Sequence, residues 1–262
     1  MQVYREMNIG TAKPTLIERK GVVHHLIDIV EPEDEYSVAE YRREGRRIIE
    51  SASVPLIITG GSGLHFRALV DPMSFAPTDP TLRAALEERG LDALVSELTS
   101  LDPDVSQRVD LSNKRRVVRA LEIARLTGET PSQRAGKAEA DDLGRYVPEI
   151  EFIAVGIDPG SALDGRIERR LDEMRRGGLL EEVRGLRHRL GRTARSAVGY
   201  REILDHLAGE LTMEEAFAAI DKNTRRLARK QRTWFQRDPR IRWIPWMEDE
   251  AERVDRAMEI LT

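Results

Sequence analysis

An α/β core interrupted by an inserted helical subdomain follows from three features of the sequence. A short apolar run, Leu56-Ile57-Ile58-Thr59, ends in Gly60-Gly61-Ser62-Gly63 and gives way to helical spacing from Leu64, the strand, turn and helix order of an α/β unit. Two more β-like runs, Glu151 to Ile157 and Ile241 to Ile244, come much later in the chain. Between these, Asp71 to about Arg145 is charged and helical in texture with no convincing strand. The expected division is a core from residues 1–70 and 146–262 and an insertion over residues 71–145. At 262 residues and 40% hydrophobic content, the chain can bury a sizeable core.

Each element has a local reason. Ser37 with Glu40 three residues on makes a capping box for a helix running to about Ser51. Pro55 then introduces the apolar run, and the glycine turn after it is where functional groups collect in α/β folds. In the insertion, Thr81 to Arg89, Asp92 to Leu101 and Asn113 to Leu126 have helical spacing, and Leu126-Thr127-Gly128 reads as a stop. Asp158-Pro159-Gly160 ends the second β-like run as a turn. Arg166 to Met174 follows as a helix with Ile167, Leu171 and Met174 on one face; Gly177-Gly178 breaks it before a second helix, and Gly199-Tyr200-Arg201-Glu202 opens a third. A long basic helix with Ile220, Leu227 and Trp234 spaced for burial precedes the last strand.

Composition removes several functions. No run is long enough to cross a bilayer and no charged-then-apolar leader is visible, so the expectation is a cytoplasmic protein with no membrane partner. Without cysteine there is no disulfide, thiolate nucleophile or thiolate-bound zinc, and an oxygen-bound ion such as Mg²⁺ is the metal that suits the chain; no residue is assigned to hold it. Only six of the 42 cationic residues are lysine, and arginine's planar fork suits phosphate.

The cations are segregated. From Lys222 to Arg237 there are Lys222, Arg225, Arg226, Arg229, Lys230, Arg232 and Arg237 and no acid, although the net charge is -4. Arg225, Arg229 and Arg232 share a face, with Arg226, Lys230 and Arg237 flanking it. A solvated helix face usually interleaves both signs, so this one points to phosphate. Lys114-Arg115-Arg116-Val117-Val118-Arg119 is a second basic cluster, and together the two suggest a clamp around a folded RNA. Position alone leaves the Gly60–Gly63 turn balanced between a tight connection and a backbone cradle that points Ser62 into a pocket. Arg201, on position alone, reads as a surface charge, and His24 and His25 as structural or capping groups.

Met1-Gln2-Val3-Tyr4-Arg5-Glu6-Met7-Asn8-Ile9-Gly10-Thr11-Ala12-Lys13-Pro14, His24-His25-Leu26-Ile27-Asp28, Gly60-Gly61-Ser62-Gly63-Leu64, Gly199-Tyr200-Arg201 and Thr224 to Phe235, in that order across nearly the whole chain, resemble the tRNA dimethylallyltransferase family. The resemblance implies transfer of a dimethylallyl group from dimethylallyl diphosphate to N6 of the adenosine immediately 3′ of the anticodon, with Mg²⁺. The partner would be the anticodon stem-loop of tRNA, and the chain would act as a monomer. It implies a P-loop NTPase-like parallel sheet core whose first strand and phosphate loop, with the aspartate of an Asp-Ser pair, fall before Met1; the chain is therefore expected to be a shortened form. Met1 and Gln2 fall in the adenine-proximal segment, Ser62 where the family usually has a threonine, and Arg201 where an arginine can face the diphosphate. Arg83 falls at a tRNA contact, and Arg115, Arg116 and Arg119 in a tRNA-contacting stretch, beside Arg225, Arg229, Lys230 and Arg232 of the basic helix. Two other readings stay open: a catalytically inactive tRNA-binding remnant, and another P-loop small-molecule transferase.

Overall fold

The computed structural model describes residues 1–261, apart from the side chains at positions 138 and 139. The chain divides into two compact units, one formed by Met1–Leu69 with Phe152–Thr262 and the other by Val70–Glu151.

The first unit opens with an irregular segment, then α1 (Val38–Ser51) and α2 (Gly63–Val70). The Ser37 capping box forms as expected: its hydroxyl accepts from Glu40 N, and the Glu40 carboxylate accepts from Ser37 N at 2.7 Å. The expected strand at Leu56–Thr59 does not form. A strand needs a neighbour to take its backbone groups; none pairs with this run among the described residues, and Ile57 is 86% exposed.

The second unit holds α3 (Pro80–Glu87), α4 (Leu91–Leu101), α5 (Lys114–Thr127), α6 (Pro131–Ala135) and α7 (Ala138–Gly144). Asp79 caps α3 through Thr81 N and Leu82 N, and Asn113 caps α5 through Arg116 N. Gly128 stops α5 in the left-handed conformation (φ 73°), which glycine adopts without steric cost. Leu86, Leu94, Leu98, Val117, Val118 and Leu121 pack α3, α4 and α5 together. The unit's two ends meet where Glu149 N and Ile150 N donate to Val70 O.

The chain then returns to the first unit with β1 (Ala154–Asp158), α8 (Leu163–Arg176), α9 (Leu179–Leu186), α10 (Arg192–Arg195), α11 (Tyr200–Leu207), α12 (Met213–Phe235), β2 (Ile241–Pro245) and α13 (Glu250–Leu261). β1 and β2 pair in parallel, in register from Ala154 with Ile241 to Asp158 with Pro245, and the five helices between them make the crossover that parallel pairing needs. With one isolated parallel bridge, Tyr4 to Val30, this is the extent of strand pairing among the described residues. The fold is therefore mixed α/β with a small parallel sheet, more helical than the sequence suggests.

Its core is built by α8, α9, α11 and α12. Met174, Leu179, Val183, Leu186, Ile203 and Ile220 bury together, and Tyr4 and Met7 of the N-terminal segment enter the same cluster. Ile167 and Met174 are buried as expected; Leu227 is not, and is 45% exposed on α12. No helix among the described residues is long and apolar enough to cross a membrane.

Candidate functional site

The glycine turn lies against the basic helix. A Cβ on Gly63 would overlap the Trp234 indole, and one on Gly61 would come within 2.6 Å of Gln231 Nε2. Glycine at these two positions is what lets α12 approach the turn, so the turn is a close-packing site. Phe66 reinforces the contact, edge-on to Phe152 at 5.3 Å and tilted against Phe235 at 6.1 Å. Ser62 is exposed at the start of α2, with its carbonyl accepting from Phe66 N and its Oγ 2.7 Å from His65 Nδ1. The half-buried His65 ring stands edge-on to Tyr41 at 4.8 Å, and burial, followed by the charge of the Met1 amine, pushes its pKa down. Sequence reasoning missed His65; its i,i+3 spacing from Ser62 across a helix start was the available signal.

A second cluster forms around Glu182 of α9. Its carboxylate accepts from the backbone N–H groups of Asn8 (2.9 Å), Ile9 (2.8 Å) and Gly10 (3.1 Å), and from the Tyr200 hydroxyl at 2.5 Å. Burial, then this bond, raises the Tyr200 pKa and keeps its hydroxyl protonated. A Cβ on Gly10 would strike the Tyr200 ring, so Gly10 and Tyr200 are required together. Two segments 190 residues apart in the chain are thus joined by a glutamate that no motif contained.

Beside Tyr200, Arg201 extends outward with its guanidinium held by Glu202 at 2.7 Å. Glu202 is buried and also accepts from Gly199 N (2.8 Å) and from Asn223 Nδ2 of α12 (2.8 Å). Asn223 and Gln231 lie eight positions apart on one helix, so the Arg201 anchor and the Ser62 turn are about 12 Å apart along its axis. Leu227 sits midway between them.

In the N-terminal segment, Gln2 Nε2 donates to Thr11 O (3.2 Å) and Ala12 O (3.0 Å), while Met1 is half-exposed. The Lys13 side chain is only 3% exposed and donates to Tyr4 O at 2.7 Å and Asp28 Oδ1 at 2.5 Å. A buried ammonium is tolerated where such partners meet it. His24 Nδ1 lies 2.9 Å from Val22 O, a local structural role as expected.

The α12 cations separate into two sets. Arg225 is taken up by Asp221 (2.8 Å), by Glu168 (3.3 Å) and by Asp164, the last two from α8. Arg232 pairs with Asp158 of β1 at 2.9 Å. The expected acid-free face is therefore corrected: the run itself has no acid, but Asp221 one position before it, together with α8 and β1, supplies acids to Arg225 and Arg232. Lys222, Arg226, Arg229 and Lys230 follow i, i+4, i+7 and i+8 spacing, a different stripe from the expected Arg225, Arg229 and Arg232, and have no acidic partner among the described residues.

In the second unit, the basic cluster also divides. Glu122 is fully buried and binds Arg83 Nη2 at 2.8 Å, Arg119 Nη1 at 2.8 Å and Asp79 N at 2.9 Å. Arg119 adds bonds to Pro77 O (2.9 Å) and Ala76 O (2.8 Å). Burial pushes the Glu122 carboxyl up, but the Arg83 and Arg119 bonds outweigh it and hold the pKa below the usual glutamate value. Arg83 and Arg119 are thus structural cross-links, whatever else they touch. Arg115 and Arg116 face solvent, Arg116 only 3.9 Å from the exposed Asp110. Among the described residues no group of three or more His, Asp or Glu side chains is arranged to hold a metal ion.

The sequence profile of the IPP transferase family matches residues 2–238. A tRNA dimethylallyltransferase from Bifidobacterium longum (strain NCC 2705) is 44% identical over 268 residues, spanning 99% of this chain and 79% of that protein. Among solved structures, the full-length tRNA isopentenylpyrophosphate transferase of Bacillus halodurans superposes with a TM-score of 0.68 at 32% identity, covering 98% of this chain and 83% of its own. A eukaryotic dimethylallyltransferase acting on tRNA superposes with a TM-score of 0.74 at 23% identity, covering 97% of this chain and 69% of its own, a likeness of fold.

Proposed function

This chain belongs to the IPP transferase family, and from that premise we infer that the unpaired cations of α12 hold the tRNA while Ser62 and Arg201 border the place of transfer. The activity is transfer of a dimethylallyl group to tRNA. The donor is dimethylallyl diphosphate and the acceptor N6 of the adenosine immediately 3′ of the anticodon. The N6–C bond forms as the C–O bond to diphosphate breaks, and N6 gives up a proton.

Three features of the chain support these roles. The Arg201 guanidinium is anchored at one edge by Glu202, which leaves its remaining N–H groups outward, a fork suited to the departing diphosphate. Leu227, an exposed apolar side chain between the Arg201 anchor and the Ser62 turn, offers a surface for the isoprenoid carbons. Ser62 presents an exposed hydroxyl at a helix start beside Gln231, where a flipped purine's polar edge can be met. Gln2 is occupied with the Thr11 and Ala12 carbonyls, so its part is to shape the loop beneath Met1. For Mg²⁺, the described residues do not make a cage.

The observation that carries the reading is the stripe of Lys222, Arg226, Arg229 and Lys230, free of acids in a chain of net charge -4. The test is incorporation of labelled dimethylallyl from its diphosphate into tRNA by the intact protein. Glutamine at Arg226, Arg229 and Lys230 is expected to raise the tRNA KM and leave that for the diphosphate donor unchanged. Unaltered tRNA KM in that variant overturns the assignment of the stripe.

A further inference from the structure

The hydroxyl of Ser62 can face its surroundings in two ways: donating to one partner leaves it an acceptor only, whereas accepting from that partner leaves its proton and a single lone pair for the next. With His65 Nδ1 bare, Ser62 donates its proton across the 2.7 Å contact and its oxygen is left as an acceptor. With Nδ1 protonated, Ser62 accepts and offers its proton outward. The site favours the first arrangement. His65 lies in the first turn of α2, where the helix dipole opposes a positive ring. Its half-burial against Tyr41 opposes charge again. In the neutral side chain the commoner tautomer carries its proton on Nε2, leaving Nδ1 bare.

We propose that His65 is a positioning residue for the transfer: neutral and bare at Nδ1, it takes the Ser62 proton and fixes Ser62 Oγ as the acceptor for an N–H of the incoming purine amine. This rests on the placement of Ser62 at the site of transfer. The groups facing the ring are Ser62 on its own element, Tyr41 from α1 and the amine of Met1, with no carboxylate among them to favour the charged form. Protonation of the ring at low pH takes one Ser62 lone pair and frees the O–H to turn towards the amine's N–H, so the fixed acceptor is lost and the contact weakens. Because the ring's pKa is pushed down, that loss occurs below the ordinary histidine range.

Two variants of the intact enzyme separate this from a packing role. His65→Asn puts an amide oxygen near the place of Nδ1 and cannot be protonated; kcat is expected to stay within about threefold and the acid limb of its pH profile attributable to this ring to disappear. His65→Phe keeps a ring against Tyr41 and removes the acceptor; kcat is expected to fall about tenfold, the worth of one hydrogen bond, with the tRNA KM unchanged. Ser62→Ala should fall as far. Wild-type kcat and pH profile in His65→Phe, alongside a loss in Ser62→Ala, overturn the role of His65 and leave Ser62 in place; no loss in Ser62→Ala overturns the placement of Ser62 itself. The nitrogen resonances of His65 in the wild-type protein give a reading independent of turnover: a bare Nδ1 at neutral pH is expected, and a protonated one sinks the proposal.

Discussion

Replacing Glu182 by alanine removes the acceptor shared by Asn8, Ile9, Gly10 and Tyr200. A hydrogen bond to a charged group contributes roughly 1.5–3 kcal/mol, but the four share one carboxylate and do not add. Asn8 N is exposed and recovers water; the Tyr200 hydroxyl belongs to a fully buried side chain, and the Ile9 and Gly10 amides are part-buried. Stranding those three donors gives an expected loss of about 3–5 kcal/mol in unfolding free energy. Denaturant unfolding of Glu182→Ala, Tyr200→Phe and the double variant measures it. Tyr200→Phe removes a single donor and should cost about 1 kcal/mol, and the cycle should show coupling of at least about 1 kcal/mol. Proteolysis at residues 8–12 should quicken in Glu182→Ala, because Gln2, Thr11 and Ala12 are tied to the same loop. A loss below about 1 kcal/mol with no change in loop protection refutes the view that this carboxylate organises the segment.

Two other perturbations test the packing. The folded-state pKa of Glu122 lies below its unfolded value of 4.5, so its contribution is fully present above pH 4.5 and is lost as pH falls through the lower folded value; Glu122→Gln should flatten the acid dependence of stability, measured by unfolding at pH 3 to 6, and an unchanged slope contradicts this. Gly63→Ala sets a methyl against the Trp234 indole and should cost about 1–3 kcal/mol and shift the tryptophan emission, and a variant with wild-type thermal stability and spectrum shows that α12 does not press on the turn.

Locally encoded structure was legible in the sequence. The Ser37 box and the Gly128 stop each involve residues within a turn of one another, and each formed where the pattern placed it. Pairings across distance were not legible. Asp158, Asp164 and Glu168 neutralise Arg225 and Arg232 from about 60 to 70 positions away, so an acid-free run overstated the free charge of its helix. Glu122 hides in a helix that reads as basic, yet its burial turns Arg83 and Arg119 inward. The run Leu56–Thr59 has strand composition, but strand formation depends on a neighbour that composition does not record. Leu227 has core spacing yet is exposed in the fold, and α13 went unread although Val254, Met258 and Leu261 stand at i, i+4 and i+7.

The salt dependence of tRNA binding tests the division of the α12 cations most directly. Each phosphate neutralised contributes about 0.7–0.9 to the slope of log affinity against log salt. Glutamine at Arg226, Arg229 and Lys230 together should lower that slope by about 2 to 3, whereas Arg225→Gln, whose charge is already met by Asp221, Asp164 and Glu168, should leave it within about half a unit of wild type. An unchanged slope in the triple variant, or an equal fall in Arg225→Gln, contradicts the account.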